Sequence, residues 1–227
     1  MAKGYEVSFD LRGFQIKTTV TYDCNEIEKH LSSFFLPSIN HQTKVIGFDV
    51  EWCMEYCKEP RIIAKSNCAT LELYDGHSCL IIQLNRLPKF YGSTPLTDSV
   101  YRRLLKFLRQ PNVTFVGVGI KNNLAKLEKH YGLGIRNAVE LGPLAAAAMR
   151  MPRLSYCGVD ELAFVLHGFH LGEHRPSTED CDWASSPLSK ELAQVATVNV
   201  YSYYKIGSTL LQSNDVGSDD TVLVRVW

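Results

Sequence analysis

Apolar and polar residues alternate from the start of the chain. "YEVSFDLRGFQIKTTVTY" (5–22) keeps that period of two on both sides of Arg12-Gly13, which predicts a β-hairpin. "CNEIEKHLSSFF" (24–35) switches to helical spacing, with Asn25 as the expected cap. "KVIGFDVEW" (44–52) is a strand, and "ATLELYDGHSCLIIQL" (69–84) reads as two strands around Asp75-Gly76, a strong hairpin signal. Amphipathic spacing returns in "DSVYRRLLKFLRQ" (98–110), with Pro111 just beyond its end. "VTFVGVGI" (113–120) is a continuous apolar run suited to a buried strand, and "NNLAKLEKHYG" (122–132) is a helix ended by Gly132. "VELGPLAAAAMR" (139–150) is short and Ala-rich. "GVDELAFVLHGF" (158–169) and "SKELAQVATVNVYSYYKIGSTLLQ" (189–212) are helices, the second a long one.

Strands therefore come first and helices mostly afterwards. That order predicts an α/β domain with one mixed β-sheet flanked by α-helices, not an alternating doubly wound fold. A length of 227 residues suits a single domain of this kind. Residues 1–43 are assigned to the same domain as the main body, 44–212, and 213–227 to a C-terminal tail that could add an edge strand. Lys plus Arg and Asp plus Glu both number 24, so no global positive field advertises nucleic acid, and any basic patch must be local. The start lacks a signal-peptide pattern and no apolar run approaches a bilayer span, so an intracellular protein, nuclear or cytoplasmic, is expected. The seven cysteines contain no C-x-x-C pair and are read as reduced thiols; Cys53 and Cys57 lack a second ligand pair at zinc-site spacing.

One strand poses a chemical question. In "KVIGFDVEW", Asp49 and Glu51 point to one face, with Val50 opposite. Adjacent carboxylates repel unless solvated or bridged by a cation. A two-metal nuclease surrounds two divalent ions about 3.5–4 Å apart with carboxylates from several elements. Partners for this pair should therefore lie on later helices.

"VIGFDVEW", "FVGVGIKNNLAKL" and "PLSKELAQVATVNVYSYYKIG" together resemble the three motifs of the DEDD-superfamily 3'-5' exonucleases, closest in flavour to Werner syndrome-like exonuclease domains of the small plant type. The resemblance runs from about Val45 to Leu211, and "ATLELYDGHSCLIIQL" and "DWASSPLS" fall at the expected intermediate places. It implies a ribonuclease H-like fold and metal-assisted hydrolysis at DNA or RNA 3' ends, single-stranded for preference, with Mg2+ or Mn2+. Asp49 and Glu51 then hold the ions.

The remaining family positions depart from the pattern. The second-motif acid is Asn123, the third-motif acid is Asn199, and the Tyr or His that orients the attacking water is Val195. An amide can still ligate Mg2+ but only as a neutral dipole, so the second ion site is expected to be weak or lost. Valine can neither take a proton nor hold a water, and a missing base typically costs about 10²–10⁴-fold.

Glu72, Asp180 and Asp182 are candidate substitutes, weighed against a solvent-face strand glutamate and a solvated turn. Asp160 and Glu161 are read as helix-start charges. For nucleic acid, Trp52, Lys121 and Tyr201 are the candidate contacts, set against core roles for the aromatics; Tyr56, Trp183, Tyr203 and Tyr204 cluster with them, and Lys58, Arg61 and Lys65 form a basic loop. Three outcomes follow from these residues: a slow exonuclease, a pseudo-nuclease that binds nucleic acid, or an interaction module such as a homo-oligomer subunit, none of them at a membrane.

Overall fold

The structure, a computed structural model, describes residues 3–35, 44–55, 65–87, 95–177 and 181–214. Strands β1 (Gly4–Leu11) and β2 (Phe14–Thr21) form the expected hairpin. Both turn residues have positive φ, 56° at Arg12 and 83° at Gly13, the signature of a tight hairpin turn whose twist matches the strands. Helix α1 (Cys24–Phe34) buries Ile27, Leu31 and Phe34 along one stripe. Its cap is Asp23 rather than Asn25: the Asp23 carboxylate accepts from the backbone N–H groups of Asn25 and Glu26 at 2.9 and 3.3 Å. Asp23→Ala is expected to lower stability by about 1 kcal/mol in urea unfolding.

Strands β3 (Lys44–Glu55), β4 (Lys65–Tyr74) and β5 (Ser78–Gln83) follow. Helix α2 (Pro95–Leu108) leads to β6 (Val113–Gly117) and α3 (Ile120–Tyr131). The apolar run 113–120 thus divides between a strand and the start of a helix two residues earlier than the spacing suggests. Glu140 explains the early start, since its carboxylate accepts from the N–H groups of Gly119 and Ile120 at 2.7 and 2.9 Å and satisfies two otherwise unpaired donors. Glu140 closes β7 (Ala138–Glu140), a three-residue strand that overlaps the start of the segment read only as Ala-rich. Helices α4 (Leu141–Met149), α5 (Val159–His167) and α6 (Lys190–Asn214) complete the described chain. The proposed tail strand lies outside the described residues.

The seven strands form one mixed sheet in the order β1-β2-β5-β4-β3-β6-β7. β3 is interior, antiparallel to β4 and parallel to β6. The hairpin of residues 4–21 is part of this sheet, because β2 runs parallel to β5. One apolar core packs α1, α2 and α3 against one face, around Phe48, Val50, Leu71 and Phe115. A second packs α4, α5 and α6 against the other, around Val20, Ile81 and Val116. α6 comes especially close to β3: a Cβ at Gly47 would collide with the Val200 carbonyl oxygen, so glycine permits the contact that brings α6 over Asp49. Among the described residues no helix is long and apolar enough to cross a membrane.

Candidate active site

Period-two alternation puts Asp49 and Glu51 on the face of β3 that α6 covers, and the antiparallel register sets Glu72 of β4 directly opposite Asp49. The site is therefore a floor of three carboxylates under one helix. The β3–β4 pairing shifts register between Glu51 and Trp52, an irregularity that falls just beyond the acids.

Asp49 is buried, and each of its oxygens is engaged. Oδ1 accepts from the Val50 N–H at 2.8 Å and from Asn123 Nδ2 at 3.0 Å, while Oδ2 accepts from the Tyr203 hydroxyl at 3.0 Å. Burial outweighs these donors and pushes its pKa up to about 6. Glu51 is half-buried, and desolvation, reinforced by Asp49, pushes it up to about 8. Glu72 is fully buried at 0% exposure. Neither of its carboxylate oxygens has a hydrogen-bond partner of good geometry, and the nearby Thr70 hydroxyl is equally unpaired. Desolvation first, then the charges of Glu51 and Asp49, hold its pKa far above the carboxylate range, against smaller lowering pulls from the Thr70 side chain and the Glu72 backbone. The solvent-face alternative for Glu72 is corrected: β4 is an interior strand with helices over both faces, so its polar position is sealed in.

Asn123 enters from the first turns of α3 and faces Asp49. Its orientation is set from both sides, because Oδ1 accepts from Trp52 Nε1 at 3.1 Å while Nδ2 donates to Asp49. On α6, Val195, Asn199 and Tyr203 recur every four residues along one face. Tyr203 reaches Asp49, and Val195 is half-buried against the α6-side core. Asn199 Oδ1 accepts from Arg175 Nη2 at 2.5 Å, and Arg175 Nη1 also donates to both Asp160 oxygens at 2.9 Å. The sequence reading missed Arg175 and the role of Tyr203.

The remaining candidates separate. Trp52 is half-buried, tied to Asn123, with Lys126 Nζ 4.7 Å from its ring. Lys121 is exposed on the first turn of α3. Tyr201 is corrected from a substrate contact to a core residue: it is 5% exposed and packs edge-on against Tyr74 and Phe169. Trp183 is likewise buried, and Tyr204 packs against Tyr74. Asp182 sits in a turn, accepting from the Ala184 N–H at 3.1 Å. Tyr56, Lys58, Arg61, Asp180 and the Lys65 side chain lie outside the described residues.

A two-ion centre does not fit this donor set. Asp49 already accepts three hydrogen bonds, Asn123 turns its NH2 rather than its oxygen toward Asp49, and the Asn199 oxygen is held by a guanidinium. Among the described residues no group of three His, Cys, Asp or Glu side chains is gathered to hold a metal ion.

No protein-family model matches the chain. The Arabidopsis thaliana RISC-interacting clearing 3'-5' exoribonuclease 1 is 28% identical over 205 residues, covering 87% of this chain and 96% of that protein. Among solved structures, Escherichia coli RNase D superposes with a TM-score of 0.63 at 17% identity, over 87% of this chain but only 45% of RNase D. Brucella melitensis NrnC with bound Mg2+ superposes with a TM-score of 0.53 at 17% identity, over 80% of each chain. With its interior acid-bearing strand and covering helix, the chain has the ribonuclease H-like α/β fold of these exonuclease structures and is similar in sequence to a plant 3'-5' exoribonuclease.

Proposed function

We propose that this domain binds nucleic acid 3' ends and does not hydrolyse them. The observation that carries the reading is the Asn123 bridge, in which Nδ2–H donates to Asp49 while Oδ1 is occupied by Trp52. A hydrogen-bond donor does for Asp49 what a divalent ion would do in a metal-loaded site, and Asn123 cannot offer its oxygen there without breaking the Trp52 bond. Val195 adds a second deficit, since it leaves no side chain to orient an attacking water. The Arabidopsis relative's name as an exoribonuclease, and the structure of NrnC with Mg2+, support nucleic acid and a divalent ion as the ancestral ligands. A single-stranded RNA or DNA end is the ligand we assign, with Mg2+ or Mn2+ at most weakly held by Asp49 and Glu51. Buried thiols such as Cys68 and Cys79 suit a reducing nuclear or cytoplasmic setting.

A second reading, slow metal-dependent hydrolysis, is favoured by one observation: Glu72 supplies a third carboxylate opposite Asp49. Cleavage of single-stranded and 3'-recessed RNA and DNA with Mg2+ or Mn2+ separates the two. The expected result is no cleavage above an Asp49→Ala/Glu51→Ala control. Asn123→Asp/Val195→Tyr/Asn199→Asp should gain about 10²-fold or more, the scale of a restored base and ligand set. Cleavage by the natural protein that the double-alanine variant abolishes would establish the second reading instead.

A further inference from the structure

We propose that Arg175 holds the 3'-terminal phosphodiester in this site in place of a metal ion. The proposal rests on the nucleic-acid reading above and assigns the group that makes binding independent of divalent metal. Arg175 lies in the loop between the short turn Leu171–Glu173 and α6, where its backbone N–H donates to the Leu171 carbonyl at 3.1 Å. Its guanidinium is fixed from two helices. Nη1 donates to both oxygens of Asp160 in the first turn of α5, and Nη2 donates to Asn199 Oδ1 on α6. Asn199 shares its helix face with Tyr203, which bonds Asp49, so a permanent cation sits beside the carboxylate floor.

The charge there is not fully used. The Arg175 side chain is 21% exposed, against 62% for Asp160, so it is largely withdrawn from water while its partner is not. Its influence is felt at both Asp49 and Tyr203. Arg175 Nε is buried and donates to nothing, and Nη2 spends one of its two hydrogens on a neutral amide oxygen. An unpaired donor on a buried charged group is costly and calls for a partner. Nε and Nη2 form the edge of a guanidinium that grips a phosphate with two parallel hydrogen bonds. A phosphate oxygen replacing the Asn199 amide would satisfy both nitrogens with a charged acceptor. Because arginine stays protonated at every working pH, such a grip needs no metal loading.

The test is fluorescence anisotropy with labelled ten-nucleotide single-stranded RNA and DNA, in EDTA and in Mg2+, over a salt series. The natural protein should bind equally well in both buffers. Arg175→Met should weaken binding about 10-fold or more and flatten the salt slope by about 0.7, one phosphate contact on a single strand. Arg175→Lys should recover part of the affinity. Asp160→Ala removes the same structural bridge but keeps the cation, so it should bind at least as tightly as the natural protein even if it melts earlier. Natural affinity and slope in Arg175→Met, or binding by the natural protein only with Mg2+, would overturn the proposal. No binding by the natural protein in either buffer would overturn the nucleic-acid reading itself, and this proposal with it.

Discussion

Glu72→Gln is expected to leave stability nearly unchanged at pH 5 and to raise it progressively toward pH 8. Glu72 is buried with both oxygens unpaired and its pKa held far above the usual range, so the folded protein keeps this proton where the unfolded chain has lost it. The folded state then binds more protons than the unfolded state, and stability must fall as pH rises above the unfolded carboxylate value. The fall approaches about 1.4 kcal/mol per pH unit for one group and ends only at the folded pKa. Glutamine keeps the shape and carries no titrating proton, which removes this slope. Urea unfolding of both proteins in EDTA at pH 5, 6, 7 and 8 should give curves that diverge by more than about 2 kcal/mol at the alkaline end. Asp49 and Glu51, also raised, contribute slopes of the same sign in both proteins, so the difference reads the Glu72 carboxyl together with its coupling to them. Parallel pH curves would mean that Glu72 has a donor in solution and is not an orphaned acid.

What could be read in advance depended on how far each contact reached along the chain. Asp49 and Glu51 share a face because strands alternate, and Gly132 ends α3 because a left-handed residue suits that place; both are local facts. Asn123 and Asn199 come from motif spacing; in the fold Asn123 bonds Asp49, whereas Asn199 bonds Arg175 rather than either acid. Glu72 is a candidate in the sequence, but its burial is not legible there, because alternation gives a face but not its cover. Whether "ATLELY" lies at an edge or in the interior depends on β3 and β5 flanking it and α6 lying above. Glu140 escaped because it caps a helix that starts 20 residues earlier, across a strand pairing of only three residues. Arg175 had no local pattern at all. Its partners are 15 residues before it and 24 after, and only the docking of α5 beside α6 brings the three together.

Asn123→Asp should show most directly how this site does without a metal. In the natural protein the 3.0 Å contact between Asn123 Nδ2 and Asp49 Oδ1 is donor to acceptor, with the other end of the amide fixed by Trp52. An aspartate in the same pose keeps the Trp52 bond through one oxygen and turns the other against Asp49. Two carboxylates at that separation in a buried site cannot both ionise, so the pair must take up a proton or a cation. The variant should therefore lose about 3 kcal/mol of stability at pH 8 in EDTA, the scale of an unpaired buried charge. Most of that should return at pH 5, where a shared proton restores the bridge. The sign follows from linkage: the folded variant binds a proton that the unfolded chain gives up above about pH 4, so stability declines as pH rises. Millimolar Mn2+ at pH 8 should restore it by a second route, since a divalent ion between the carboxylates is then the missing bridge. The natural protein, with its amide already in place, should gain nothing from Mn2+. Thermal melts of both proteins at pH 5 and 8, with EDTA and with Mn2+, read all of these effects. Should the natural protein gain as much from Mn2+ as the variant, the amide bridge would not exclude the ion, and the case for lost metal chemistry would fall.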